Sequence, residues 1–287
     1  MISPEPELQG GAAFYKTDRS AMKRVKLVVA YDGTAYHGWQ VQPNGRTIEG
    51  ELNRALSELL HEEIQVIGAS RTDSGVHALC NVAVFDTQAR IPAEKICYAV
   101  NQRLPEDIRV RESCEVAPDF HPRHCSSRKT YEYRIYQDTF PEPVRRLYTY
   151  FTYVPLDLDR MREGAAYLVG EHDFKSFCSV AAVVETTVRT ILSITIERQG
   201  KEIVISVCGT GFLYNMVRII AGTLMEVGRG SYPPEHVKDI LEVRDRQAAG
   251  PTAPACGLTL VKYEWTGQDE TEQNEAEQNE TEQNEKE

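Results

Sequence analysis

The chain has 287 residues, 41% apolar and 26% charged, with a formal charge of −11 at neutral pH. That balance is globular and leaves room for two domains. No apolar run exceeds five residues, against the ~18 that a membrane helix requires, and the N-terminus has no apolar signal core.

The charge is unevenly spread. From Thr266 to Glu287 nine acidic residues face Lys286 alone, so this stretch carries −8 and the other 265 residues only −3. A nucleic-acid partner is therefore compatible with the net charge. Seven cysteines, an odd number without Cys-x-x-Cys spacing, point to reduced thiols and a cytoplasmic location.

In chain order, residues 1–21 carry Pro and Gly without periodicity and read as a loose extension, with Met22 as a second candidate start. A strand is expected over 24–31. A helix follows over 48–61, where Ile48, Leu52, Ala55, Leu56, Leu59 and Leu60 recur at helical spacing. Strands at 64–70 and 81–87, a helix near 93–103 and a strand near 108–116 complete a first succession.

The second succession begins with a strand over 131–136 and a helix over 157–169. Strands at 188–197 and 202–208 are expected to turn at Gln199-Gly200. Helices over 212–227 and 234–243 precede a last strand over 258–265. Each succession reads β-α-β-β-α-β. The expected fold class is α+β, with two tandem ferredoxin-like (RRM-like) βαββαβ halves and an active cleft between them. The boundary falls near Pro118, giving domains over 22–117 and 118–265. Beyond them TEQNE, AEQNE and TEQNE repeat over 271–285. With no apolar residue but one Ala to offset chain entropy, 266–287 is expected to be a disordered acidic tail.

Three segments could carry chemistry. GASRTDSGVHA (68–78) leaves a strand through small residues and sets Arg71 and Asp73 beside a Ser-Gly turn. Spacing alone leaves Asp73 open between a carboxylate bonded to its own turn and one presented for reaction. In FLYNMVRIIAGTLMEVG (212–228), Arg218 is embedded among apolar residues. A buried guanidinium needs a partner; Asp73, reaching across the cleft, is the proposed one, and a structural pair with another carboxylate is the alternative. Ala221 and Gly222 on the same face leave room for another backbone.

Residues 120–146 hold six Arg or Lys against three acids, interleaved with Phe120, Tyr131, Tyr133, Tyr136 and Phe140. Cations meet phosphates and rings stack on unpaired bases, so this segment reads as an RNA surface, or else as an edge strand with a solvated basic face. His121, His124 and Cys125 lack a second ligand pair at zinc-like spacing, so no metal is expected. Neither a P-loop nor a GxGxxG fingerprint appears, so no cofactor is expected.

These motifs resemble the tRNA pseudouridine synthase A family over about Lys23–Trp265. YDGTAYHGWQ (31–40) is similar to the family's opening YDG-x-x-YxGWQ, and GASRTDSGVHA to its GxGRTDxGVHA loop. KTYEYRI, FLYNMVRIIAG, MEVG and GLTLVKY resemble later motifs in the same order. Ser70 and Ser74 stand where the family has Gly and Ala.

The resemblance implies a pseudouridine synthase fold that isomerises uridine at positions 38, 39 and 40 in the anticodon arm of tRNA. It implies Asp73 as the essential nucleophile, Tyr131 stacked on the target base, Arg218 paired with the aspartate and Arg71 handling the flipped nucleotide. It further implies a homodimer that binds tRNA across two subunits. A non-catalytic tRNA-binding or folding protein is the alternative; it would not need Asp73.

Overall fold

The computed structural model describes residues 22–180 and 184–266; the expected N-terminal extension and acidic tail lie outside the described residues. The first half comprises β1 (Lys23–Tyr31), α1 (Ile48–Leu60), β2 (Ile67–Gly68), β3 (His77–Thr87), α2 (Ala93–Val100) and β4 (Ile108–Val116). The second comprises β5 (Ser127–Gln137), β6 (Tyr150–Thr152), α3 (Leu158–Ala166), β7 (Gly170–Asp173), β8 (Val188–Gln199), β9 (Glu202–Gly209), α4 (Met216–Arg229), α5 (His236–Val243) and β10 (Leu258–Trp265).

The local signals behind these elements are plain. β1 alternates, burying Val25, Leu27, Val29 and Tyr31 on one face. The Thr47 hydroxyl caps α1 by accepting from the Gly50 N–H, and His61 ends the helix in the left-handed region. The helix turns Ile48, Leu52, Ala55, Leu56 and Leu60 into the core.

All strands join one sheet in the order β4-β1-β3-β10-β5-β9-β8-β7, with β2 pairing β3 and β6 pairing β5. Taken by halves, β4-β1-β3-β2 and β10-β5-β9-β8 have the same fourth-first-third-second order, the ferredoxin-like arrangement. The halves fuse through β3. One end of its outer edge pairs with β2 at Ile67 and Gly68, and the other takes β10 in parallel through His77↔Thr259 and Ala78↔Leu260. The α+β class with paired βαββαβ halves is thus observed.

Several boundaries differ from expectation. The strand expected over 64–70 shrinks to two residues. Ile64 and Val66 are buried, but their N–H groups donate to Ser57 Oγ and Asn53 Oδ1 of α1 at 2.9 and 2.8 Å instead of to a ladder. β3 starts at His77 rather than residue 81 because β10 supplies a partner there. The β8–β9 turn is Gly200-Lys201, one residue later than expected, with Gln199 paired to Glu202. α4 begins at Met216, not residue 212, because Asn215 is left-handed with φ 61°. The short strands β6 and β7 were not expected.

Candidate active site

The RTD segment becomes the loop 69–76 between β2 and β3. Its shape is imposed from two sides. From within, Asn81 of β3, fully buried, clamps the backbone of Ser70: its Oδ1 accepts from the Ser70 N–H at 3.2 Å and its Nδ2 donates to the Ser70 carbonyl at 3.0 Å. The same Nδ2 lies 3.3 Å from the Tyr31 hydroxyl, which in turn bonds Thr72 Oγ1 at 2.8 Å.

From outside, the YDGTAYHGWQ loop acts as a buttress. The Trp39 N–H donates to the Thr72 carbonyl at 3.1 Å, and the Gly75 N–H and Ser74 Oγ both donate to the Tyr36 carbonyl at 3.2 Å. Gly38 is left-handed, and a Cβ there would lie 2.7 Å from the Thr72 carbonyl oxygen. The first family-like motif therefore holds the second in place.

Asp73 points from this loop toward α4. Its Oδ2 forms an ion pair with Arg218 Nη1 at 3.6 Å; the two side chains are 13% and 17% exposed. The contact is single rather than bidentate. Arg218 is aimed by other partners: Nε donates to the Ala253 carbonyl and Nη1 to Asn215 Oδ1, both at 2.7 Å. The 250–254 segment can approach because α4 is small there; a Cβ on Gly222 would sit 1.8 Å from the Pro251 carbonyl oxygen. Burial pushes the Asp73 carboxyl above its ordinary range, and the nearby Arg218 charge only partly pulls it back. Arg218 thus moderates the cost of a buried carboxylate without cancelling it.

Asp73 opens into a cavity of about 800 Å³ lined from both halves, by the 69–76 loop, by Lys129 and Tyr131 of β5, by Arg189 of β8 and by residues 212–217. Tyr131 is nearly buried and packs edge-on to Phe212, with ring centroids 5.2 Å apart. Burial raises its phenol pKa, which keeps the hydroxyl protonated.

Arg71, Arg123, Lys129 and Arg189 line the cavity, and Asp73 is the one carboxylate among the described lining residues. The wall is therefore strongly basic in a chain of net charge −11. Arg123 Nε and Lys129 Nζ donate to the Gly68 and Ala69 carbonyls at 3.0 and 3.2 Å, tying the basic wall to the base of the loop. Burial, with Arg123 nearby, pushes the Lys129 amine down to about 8.

All four residues singled out in the sequence come together here: Asp73, Tyr131 and Arg71 line the cavity and Arg218 touches Asp73 from behind. Arg71 is exposed at the mouth. The basic-aromatic segment 120–146 divides instead of forming one surface. Arg123 and Lys129 reach the cavity, but Arg128 pairs with Glu264, Arg134 with Glu132 and Glu202, and Arg145 with Glu142 and Glu202. Nor is β5 an edge strand, since it lies between β10 and β9. Asn81 and Arg189 were missed; the one sequence sign for Asn81 is a polar residue opening the otherwise apolar run NVAVF.

Two ferredoxin-like halves sharing one sheet, with a basic cavity where they meet, define the pseudouridine synthase fold. A family model described as tRNA pseudouridine synthase matches residues 27–124 and 165–265. The chain is 48% identical over 241 residues to tRNA pseudouridine synthase A of Acetivibrio thermocellus, covering 84% of this chain and 99% of that one. It is 46% identical over 241 residues to tRNA pseudouridine synthase A 2 of Clostridium perfringens, with the same coverage. It is 47% identical over 246 residues to tRNA pseudouridine synthase A of Moorella thermoacetica, covering 85% of this chain and all of that one. The chain belongs to the tRNA pseudouridine synthase family, a family of isomerases.

Proposed function

We propose that this protein converts uridine to pseudouridine at positions 38, 39 and 40 in the anticodon arm of tRNA, with Asp73 as the nucleophile. The observation that carries the reading is a buried carboxylate, paired among the described residues with Arg218 alone, facing a basic cavity large enough for an extruded nucleotide. Its raised pKa marks a poorly solvated and therefore more reactive anion.

The reaction breaks the N1–C1′ bond, turns the uracil and rejoins it through C5. C5 loses its proton and N1 gains one, so the atoms balance without an external oxidant or energy source. Asp73 acts on the reacting uridine, at C1′ or at uracil C6, and Arg218 keeps its carboxylate oriented. Tyr131 offers the flipped base an aromatic surface, and Arg71 at the mouth meets the displaced nucleotide. Extrusion costs on the order of a few kcal/mol, which contacts to the basic wall offset. The protein acts in the cytoplasm as a homodimer, the tRNA spanning both subunits.

Mapping pseudouridine at single-nucleotide resolution in unmodified tRNA incubated with the protein tests the reading. New pseudouridine confined to positions 38–40 is the expected result. Tight tRNA binding without any pseudouridine would transfer the chain to the non-catalytic RNA-binding class.

A further inference from the structure

Among the polar groups of the cavity wall that the mechanism above leaves unused, one is buried without a partner. Ser70 is only 5% exposed, lines the cavity next to Arg71, and its hydroxyl has no hydrogen-bond partner among the described residues. The Tyr131 phenol is a polar neighbour near enough for the Ser70 hydroxyl to draw its pKa down, but the two do not meet at hydrogen-bond distance and angle. A buried hydroxyl ordinarily finds a partner, because leaving it unpaired sacrifices its bonds to water.

The backbone groups of Ser70 itself are already engaged. Asn81 holds both the N–H and the carbonyl of Ser70, and the preceding Ala69 N–H donates to Val82 at 2.8 Å. The hydroxyl is thus held on the wall beside Tyr131, unsatisfied among the described residues. An incoming polar group is its natural complement.

We propose that Ser70 Oγ donates a hydrogen bond to a ring carbonyl of the uracil, fixing the base within its plane while it reacts. The inference rests on the pseudouridine reading and adds a base-positioning contact to it. The chemistry favours a donor at this kind of position. Turning uracil about the line through N3 and C6 exchanges N1 with C5, as the reaction requires, and also exchanges the C2 and C4 carbonyls. A hydroxyl set against one carbonyl site therefore meets a carbonyl oxygen both before and after the turn. It holds the ring in register in both orientations without opposing their exchange.

The test compares wild type with Ser70→Ala on tRNA carrying uridine, 2-thiouridine or 4-thiouridine at the target position, sulfur being a weak acceptor. With uridine, Ser70→Ala is expected to lower kcat/KM by about three- to ten-fold, the worth of one neutral hydrogen bond. Its Tm should not fall, because the hydroxyl removed has no hydrogen-bond partner among the described residues. With at least one thio-substrate the ratio of wild-type to variant kcat/KM should collapse toward one.

A ratio that is the same for all three substrates, or full activity of Ser70→Ala on uridine, would overturn the inference while leaving the isomerase reading intact. A loss of Tm that accounts for the lost activity would also overturn it, by making Ser70 a structural residue. Absence of isomerisation by the wild type on plain uridine would instead remove the parent reading, and this one with it.

Discussion

The two halves of the sheet have the same strand order, yet they treat their second and third strands in opposite ways. In the C-terminal half β8 runs for 12 residues and turns into β9 through the two-residue hairpin Gly200-Lys201. In the N-terminal half β2 is two residues long, and eight residues, 69–76, separate it from β3. Shortening β2 has two consequences at once. It frees the edge of β3 near His77 for β10, which fuses the halves. It also releases enough chain to carry Asp73 off the sheet toward Arg218.

The helices diverge in the opposite sense. α2 spans eight residues and only packs, whereas α4 is buried at eleven of its 14 residues and presents Arg218 in its first turn. One repeated unit thus places the Asp73 loop in one half and the arginine-bearing helix that meets it in the other.

This contrast can be broken deliberately. Inserting two glycines after Ser74 should lower kcat by about 100-fold or more, because a misplacement of about 1 Å at reacting groups is that costly. Single-turnover kinetics would measure it, and an unaffected rate would mean that the bracing by Trp39, Tyr36 and Asn81 does not set the position of Asp73.

A smaller effect is expected on the other side of the ion pair. Arg218→Met removes the cation that draws the Asp73 pKa down, and should reduce kcat/KM roughly ten-fold at neutral pH. If the ionised carboxylate is the reactive form, as proposed, activity should rise with pH through the Asp73 pKa. Burial already raises that pKa, and in Arg218→Met the acidic limb should move to still higher pH. A pH–rate profile with an unmoved limb would assign Arg218 a purely structural role.

Smallest of all is the matching insertion in the C-terminal hairpin. Two glycines after Lys201 double the hairpin and should cost about 0.6 kcal/mol by loop-closure entropy. Thermal unfolding and kcat/KM, the latter holding within about two-fold, would check it.

Much of this arrangement is legible in the sequence, for identifiable reasons. α1 shows because six apolar residues keep helical spacing behind the Thr47 cap. The proximity of Asp73 to Arg218 could be inferred because a guanidinium in an apolar helix needs a counter-charge. What stayed hidden depends on partners distant in the chain. Ile64 and Val66 have the apolar character of a strand, and only the side chains of Ser57 and Asn53 reveal that their N–H groups are taken by a helix. The start of α4 was misplaced because the backbone reversal at Asn215 leaves no gap in the apolar run FLYNMV. The clamp by Asn81 is invisible for the same reason: its partner is the backbone of Ser70, which has no sequence signature.

The central claim is that the carboxylate on the N-terminal loop performs the reaction. Tritium release from tRNA labelled at uridine C5 reports it directly, since joining C1′ to C5 expels that hydrogen. Wild type should release tritium from anticodon-arm uridines, and Asp73→Ala should bind the same tRNA while releasing it at least ~10⁴-fold more slowly, as for a lost nucleophile. Release by Asp73→Ala at a rate near that of the wild type would contradict the account.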